Sequence, residues 1–159
     1  MATDRAPSGH FTVNRRPGNT PLTQIMCRDL ICVRPDRDIC SVVTLMVKNH
    51  IGCIPVVDDK RRPVGMITKF DVVEQLQAFM CSAESGSPLP IDLVAQTADE
   101  IMMPIALTLG ENATIAHAAA MMTCEDLHHI LVVSNERTLV GVVSSKDIVT
   151  WLADNSSDR

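Results

Sequence analysis

An internal repeat constrains this chain more than any other feature of its sequence. When the sequence is aligned with itself at an offset of 76 residues, positions 25–73 and 101–149 are identical at 12 of 49 places without a gap. The identities include an Ile-Met pair, a Val-Gly pair and one aspartate in each copy: Ile25-Met26 and Ile101-Met102, Val64-Gly65 and Val140-Gly141, Asp71 and Asp147. Because a sequence repeat specifies a repeated structural unit, we expect two copies of one unit that bury each other's apolar surface.

Each copy begins with signals for a short helix. Thr20 followed by Pro21 is typical of a helix start, and Thr97 with Glu100 has the spacing of a capping box. An apolar run then predicts a short strand, LICV at 30–33 and ALTL at 106–109.

The middle of each copy predicts an amphipathic helix. Asp36 and Asn112 are suitable N-cap residues for it. Apolar residues then recur at the i, i+3, i+4, i+7 spacing of a helix that packs on a core. They are Ile39, Val42, Val43, Met46 and Val47 in the first copy, and Ile115, Ala118, Ala119 and Met122 in the second.

The last part of each copy predicts a hairpin and a closing helix. CIPVV and VGMIT flank the polar turn DDKRRP, and ILVV and VGVVS flank SNERTL. The closing helices are expected from near Phe70 to about Phe79 and from near Lys146 to about Leu152. The predicted fold class is therefore α/β (α+β), with two β-α-β-β-α repeats related by a pseudo-twofold axis.

Polar and Ser/Pro/Gly-rich segments predict the domain boundaries. We expect a disordered N-terminal tail at 1–19, repeat 1 at 20–80, a linker at 81–96, repeat 2 at 97–154 and a short tail at 155–159.

Composition excludes several partners. The chain has only four aromatic residues and a net charge of −5. Readers of single-stranded nucleic acid stack bases on aromatic side chains, and duplex binders carry a basic face, so we expect no nucleic-acid polymer as partner. No apolar run approaches the roughly 18 residues of a membrane span, and the N-terminus lacks a signal-peptide pattern. We therefore expect a cytoplasmic protein that does not bind membranes.

The repeated motifs resemble those of CBS (cystathionine-β-synthase) domains in a tandem pair, the Bateman module. The motifs are GCIPVVDD with GMITKFD and HHILVVSN with GVVSSKD, and the resemblance covers roughly residues 20–154. It implies paired α/β units that bind adenosyl ligands (AMP, ADP, ATP, S-adenosylmethionine, sometimes NAD) in clefts between the repeats. It also implies a homodimer that signals to an effector protein, which the sequence does not identify.

The G-x-x-[ST]-x-x-D motif of each repeat has the chemistry that such a ligand requires. Glycine lets another part of the chain approach closely. Thr68 or Ser144 stands where a strand turns into a helix, so its hydroxyl can cap the helix or bond a phosphate oxygen. Asp71 or Asp147 can accept hydrogen bonds from the two hydroxyls of a ribose. The same spacing also describes an ordinary helix cap, so both interpretations stay open.

The resemblance assigns further positions to the ligand site. For the base it implies Thr108, Ile130 and Leu131 in repeat 2, and Cys32, Ile54 and Pro55 in repeat 1. For phosphate it implies the basic residues His128 and His129, where repeat 1 has Gly52 and Cys53, together with Lys69 and Lys146. Because repeat 2 has Thr108 and the two histidines, we expect it to form the better site.

Two other classes of function stay open at this stage. One is a structural homodimerisation module whose ligand sites are vestigial. The other is a metal- or redox-responsive protein that uses His128, His129 and the six cysteines, although no cysteine pair has C-x-x-C spacing. No Ser-His-Asp pattern, P-loop or dinucleotide-binding glycine motif is present, so we expect no enzyme, no catalytic residue and no bound metal.

Overall fold

The repeat is visible in the order of helices and strands. The structure is a computed structural model, and it describes residues 16–84, 96–104 and 107–155. Repeat 1 contains a 3₁₀ turn (Leu22–Gln24), helix α1 (Ile39–Asn49), strands β1 (Cys53–Val57) and β2 (Pro63–Thr68) and helix α2 (Lys69–Glu84). Repeat 2 contains α3 (Ala98–Ile101), β3 (Met103–Pro104), β4 (Thr108–Gly110), α4 (Ile115–Cys124), β5 (His129–Val133), β6 (Leu139–Ser144) and α5 (Ser145–Asn155). The predicted fold class is confirmed.

Both hairpins have the predicted form. Strands β1 and β2 pair antiparallel, as do β5 and β6, and each pair has a register irregularity at the same place, Val56/Val57 and Val132/Val133. The strand predicted before the central helix forms in repeat 2, where β4 pairs parallel with β5. In repeat 1 it is reduced to a single parallel bridge between Val33 and Val56.

Several predicted helix boundaries were wrong. The N-caps of the central helices are Asp38 and Thr114, each two residues after the predicted cap (Asp36 and Asn112). The side chains of Asp38 and Thr114 accept hydrogen bonds from the backbone amides of Ser41 and His117. Thr20 caps no helix; its hydroxyl donates to the carbonyl of Arg16 over 3.0 Å.

The closing helices and the central helix also differ from the predictions. Helices α2 and α5 begin one residue earlier than predicted and extend to Glu84 and Asn155, so α2 enters the segment expected as linker. Val47, predicted to be in the core, is 67% exposed. By contrast, the capping box of Thr97 and Glu100 is present.

The predicted tails and linker are only partly described. Residues 1–15, 85–95 and 156–159 lie outside the described residues. Residues 16–19, expected in the N-terminal tail, contact repeat 2, since the amide of Ala116 donates to the carbonyl of Pro17 over 3.0 Å.

The first residues of each repeat pack on the other repeat. We call these residues, 20–27 and 96–103, the lead-in segments. Leu22 and Met26 belong to the apolar cluster formed by α4, α5 and the β5–β6 hairpin, whereas Ala98 and Ile101 belong to that of α1 and the β1–β2 hairpin. This exchange was not predicted from the sequence.

The exchange extends to the sheets and to matched hydrogen bonds. Strand β3 of repeat 2 pairs with β2 of repeat 1, and Cys27 forms a reciprocal bridge to Val142 of β6 with bonds of 2.9 and 3.1 Å. The amide of Leu22 donates to Ala113, and that of Ala98 donates to Arg37, both over 2.8 Å. Each repeat therefore completes the other, as the pseudo-twofold axis requires.

The motif glycines make room for these lead-in segments. A Cβ on Gly65 would collide with Sδ of Met102, with its Cγ 2.8 Å away and the backbone oxygen of Met103 at 3.0 Å. The three atoms nearest to a Cβ on Gly141 all belong to the side chain of Met26, with Cγ at 2.9 Å and Cβ at 3.2 Å. The close approach predicted for these glycines is thus an approach of the other repeat's methionine.

We expect Gly65→Ala to lower the free energy of unfolding by about 1–3 kcal/mol, the usual cost of overpacking a core. Gly141→Ala should cost less, because a flexible methionine side chain can move and the β3 backbone cannot. Urea denaturation of both variants measures the difference. Equal losses in the two variants would show that the Met103 backbone is not what makes a side chain at position 65 costly.

Candidate functional site

Two clefts lie where the repeats meet, and each is lined by both repeats. We call them the Asp147 cleft and the Asp71 cleft. The Asp147 cleft, of about 470 Å³, is lined by Ser144–Asp147 and Val142 of repeat 2 and by Cys27, Asp29–Ile31, His50–Cys53 and Pro55 of repeat 1. The Asp71 cleft, of about 620 Å³, is lined by Met66 and Thr68–Asp71 of repeat 1, by Met103 and Glu125–Leu127 of repeat 2 and by Gly52. His128 and His129 line both clefts.

The motif hydroxyl and aspartate cap the closing helix of each repeat. Oδ2 of Asp147 accepts from the amide and the hydroxyl of Ser144 over 2.7 and 2.6 Å, and the amide of Asp147 donates back to Ser144 Oγ over 3.2 Å. Thr68 and Asp71 make the same three bonds, of 2.6, 2.7 and 3.4 Å. The helix-cap interpretation of the motif is therefore correct.

The cap leaves half of each carboxylate unused. In both aspartates Oδ2 takes both cap bonds, and Oδ1 has no hydrogen-bond partner among the described residues. Asp71 and Asp147 are half-buried and line the clefts. The helix cap thus fixes the carboxylate of a cleft-lining aspartate and leaves Oδ1 as an acceptor without a partner among the described residues.

The two histidines lie at the junction of the clefts. The amide of Ser145 donates to the carbonyl of His128 over 2.9 Å, as that of Lys69 does to Gly52 over 3.1 Å. Gly52 packs against the imidazole of His129, since a Cβ on it would lie 3.5 Å from Cε1 of His129, an ordinary van der Waals distance. Consecutive residues within a strand point to opposite sides of the sheet. His128 lies just before β5, so this alternation does not apply to it, and both histidines line the clefts.

Burial lowers the pKa of His129 below its ordinary value, and nearby His128 and Lys69 lower it further, while Asp147 opposes them. The charged imidazolium is therefore less favourable in the folded chain than in the unfolded chain. The fold should lose stability as the pH falls below about 6.5, the ordinary histidine value, towards the lowered pKa.

We accordingly expect the temperature midpoint of unfolding to decrease when the pH is lowered from 7.5 to 5.5. The decrease should be smaller in His129→Gln than in the wild type. The carboxylates whose pKa is lowered, Asp38 and Asp58, start from 3.8 and so act only at lower pH. An equal fall in the wild type and the variant would contradict a contribution of His129.

Neither Cys53 nor Cys32 has an activated thiol. Burial raises the pKa of Cys53 to about 12, with smaller contributions from Asp71 and Cys32, and burial also raises the pKa of Cys32. All six cysteines are free, and no group of three or more His, Cys, Asp or Glu side chains among the described residues could hold a metal ion. Nothing in this arrangement favours the metal- or redox-responsive function.

The predicted site residues divide into two groups. The clefts bring together Thr68, Lys69, Asp71, Cys53, Pro55, His128, His129, Ser144, Lys146 and Asp147. The remaining predicted residues do not line them: Ile54, Ile130 and Leu131 are fully buried, Cys32 packs on a cluster between the hairpins, and Thr108 is exposed on β4. Their contact with a base stays a prediction.

Sequence reasoning missed cleft residues in the lead-in segments, in the segment after the first of them and at the helix ends: Cys27, Asp29–Ile31, His50, Phe70, Met103 and Glu125–Leu127. The sequence offered one signal, the repeat offset of 76 residues that relates His50 to Asp126. The structure gives both residues a positive φ, 54° and 53°. Their place opposite the other repeat's motif was not predictable, since it depends on the exchange of lead-in segments.

Two interlocked β-α-β-β-α repeats with a related pair of clefts at their junction define a class of tandem-repeat modules. The sequence profile of the CBS domain matches residues 22–78 and again 98–154. The chain therefore belongs to the CBS domain family, and the resemblance noted in the sequence is confirmed.

Individual relatives agree with this assignment. An uncharacterised protein of Methanocaldococcus jannaschii is 32% identical over 140 residues, which cover 86% of this chain and 32% of that protein. L-aspartate semialdehyde sulfurtransferase of the same organism is 26% identical over 136 residues, covering 84% of this chain and 24% of that enzyme. The chain thus spans between a quarter and a third of these relatives.

A solved structure has the same fold. The CBS domain pair of protein MJ0100, in complex with 5′-methylthioadenosine and S-adenosyl-L-methionine, superposes with a TM-score of 0.71 at 25% identity, over 85% of this chain and 97% of that one. In the described part of the present chain, none of the helices has the length and apolar character needed to cross a membrane.

Proposed function

We propose that this chain is a regulatory module that binds an adenosyl ligand (AMP, ADP, ATP or S-adenosylmethionine) in the clefts between its repeats. The observation that carries the proposal is the cleft-lining aspartate of each repeat, whose Oδ2 is held by the helix cap while Oδ1 has no hydrogen-bond partner among the described residues. A fixed carboxylate oxygen suits a ribose hydroxyl, because hydrogen bonds to charged acceptors are the stronger ones.

The surroundings of the carboxylate support the same ligand. Helix α5 begins at Ser145, so its dipole favours an anion at this end, and Lys146 adds a positive charge. Leu30, Ile31, Ile51, Pro55 and Val142 supply an aliphatic lining on which a purine can pack. The relative that binds methylthioadenosine and S-adenosylmethionine makes an adenosyl group the first choice.

Calorimetric titration with AMP, ADP, ATP and S-adenosylmethionine tests the proposal. Binding of at least one of them at micromolar to low millimolar concentration is expected. If none binds at millimolar concentration, the result favours the alternative of a structural homodimerisation module with vestigial ligand sites. A thermal shift produced by zinc and by none of the nucleotides would favour the metal-responsive alternative instead.

Signalling requires that the bound state alter a surface that a partner reads. Because each lead-in segment packs on the other repeat, a ligand that contacts both repeats is placed to favour one relative arrangement of them. We propose that an effector protein recognises that arrangement, and that the chain acts by binding rather than by catalysis.

We also propose that the chain forms a homodimer through its closing helices. Val73 on α2 and Val149 on α5 are equivalent residues, exposed by 57% and 63%, and Phe70 and Met80 expose further apolar surface on α2. Two apolar patches related by the pseudo-twofold axis suit an isologous contact with a second copy.

We expect a Val73→Glu, Val149→Glu double variant to sediment as a monomer at concentrations where the wild type is a dimer. A charge at the centre of an apolar contact is costly to bury. Sedimentation velocity measures both forms, with Glu136→Gln in the β5–β6 turn as the control. A double variant that stays dimeric would place the contact elsewhere.

A further inference from the structure

The two clefts are related by the repeat but differ in charge at equivalent positions. His50 and Asp126 are separated by the repeat offset, and both follow the central helix of their repeat with the same left-handed backbone, φ 54° and 53°. Their side chains therefore leave the chain at corresponding places. His50 lines the Asp147 cleft, whereas Asp126 lines the Asp71 cleft, so an imidazole in one is replaced by a carboxylate in the other.

The remaining charges add to this difference. Apart from the motif aspartates and the shared histidines, the Asp147 cleft has one lysine, Lys146, matched by one carboxylate, Asp29. The Asp71 cleft also has one lysine, Lys69, but it is outnumbered by Glu125 and Asp126. His128 and His129 line both clefts, so they do not distinguish between them.

The differing charges lie close enough to act on a ligand. A compact cavity of about 620 Å³ is roughly 10 Å across, comparable with the ~8–10 Å screening length of salt, so carboxylates on its wall act on a charge bound inside. Adenosyl ligands share their base and ribose but differ at the 5′ group, which is a negative phosphate, a neutral thioether or a positive sulfonium.

We propose that the Asp147 cleft takes an adenosyl ligand with an anionic 5′ group and the Asp71 cleft takes one whose 5′ group is uncharged or cationic. The inference rests on the proposed function, since it divides the same ligand class between the two clefts. A relative's CBS pair is in complex with a neutral and a cationic adenosyl ligand, the two kinds that the Asp71 cleft is proposed to take.

A double variant, Glu125→Gln with Asp126→Asn, tests the Asp71 cleft. Both changes remove charge at nearly constant shape, and asparagine tolerates the left-handed backbone of position 126. Each exposed charge removed should change affinity by about two- to fivefold. In calorimetry at physiological salt, we expect AMP to bind the Asp71 cleft more tightly, S-adenosylmethionine to bind more weakly, and neutral methylthioadenosine to be unchanged.

Lys146→Gln is the reciprocal variant. It should weaken AMP binding in the Asp147 cleft by a similar factor and leave methylthioadenosine unchanged. Glu136→Gln, an exposed charge that lines neither cleft, is the matched control and should alter no ligand. Crystals grown with AMP and methylthioadenosine together should show the phosphate beside Ser145 and the thioether beside Phe70.

The outcomes separate the inference from the proposed function. If none of the three ligands binds the wild type at millimolar concentration, the proposed function fails and the inference fails with it. If they bind but the acidic double variant changes all three affinities equally or none, the clefts do not discriminate by charge, and adenosyl binding itself stands.

Discussion

Leu22→Ala should lower the free energy of unfolding by about 2–5 kcal/mol, the range for a leucine lost from a well-packed core. Leu22 is fully buried although it stands in a three-residue 3₁₀ turn near the start of repeat 1. Its neighbours, Ile115, Ala118, Ile130 and Val143, all belong to repeat 2. A cavity at this position therefore weakens the repeat to which the residue does not belong.

Urea denaturation with amide hydrogen exchange measures the effect. Because the lead-in segments are exchanged, we expect one cooperative transition, with the largest loss of protection in α4 of repeat 2. Leu76→Ala is the matched control: this leucine is 44% exposed on α2 and should cost far less. A variant in which only repeat 1 loses protection would contradict the exchange.

The sequence predicted the units of this fold well because their signals are local. The hairpins follow from apolar runs on either side of a polar turn, and the central helices follow from apolar spacing. Even the register irregularities repeat at one offset, Val56/Val57 and Val132/Val133. The errors in the predicted elements lay mostly at helix ends. Asp36 and Asp38 are equally suitable N-caps by residue type, and only the backbone geometry determines that Asp38 caps α1.

The exchange of lead-in segments could not be predicted in this way. Leu22 and Ala98 have the same local signals whether they pack on their own repeat or on the other. What decides is the fit of Met102 against Gly65 and of Met26 against Gly141, which joins residues far apart in sequence. The motif glycines were recognised as points of close approach, but a single sequence does not say what approaches.

The same exchange explains the partial success at the site. The motif residues were found because helix capping and ligand binding require the same hydroxyl and carboxylate. The sequence did not say which residues of the other repeat accompany each motif: Ser144 and Asp147 line one cleft with Cys53 and Pro55 of repeat 1, and Thr68 and Asp71 line the other with residues of repeat 2. The ranking of repeat 2 as the better site consequently needs a new reason, since both clefts share the histidines.

That reason is charge, and it leads to the second large effect. We expect Asp147→Asn to weaken AMP binding by about ten- to a hundredfold, the loss expected when a hydrogen bond to a charged acceptor is removed. The asparagine oxygen can still accept the bonds from Ser144 that cap α5, whereas its NH₂ cannot accept from a ribose hydroxyl. Asp147→Ala would remove the cap as well and cost about 0.5–2 kcal/mol of stability.

Asp71→Asn is the matched control, because it makes the same change in an identical cap of the cleft with the extra carboxylates. It should weaken AMP binding less than Asp147→Asn does, and circular dichroism should show both variants folded. Calorimetry gives the two affinities. A larger loss in Asp71→Asn would reverse the ranking of the clefts. Equal affinity in all three proteins would mean that neither free carboxylate oxygen holds a ribose and that both aspartates serve the helix cap alone.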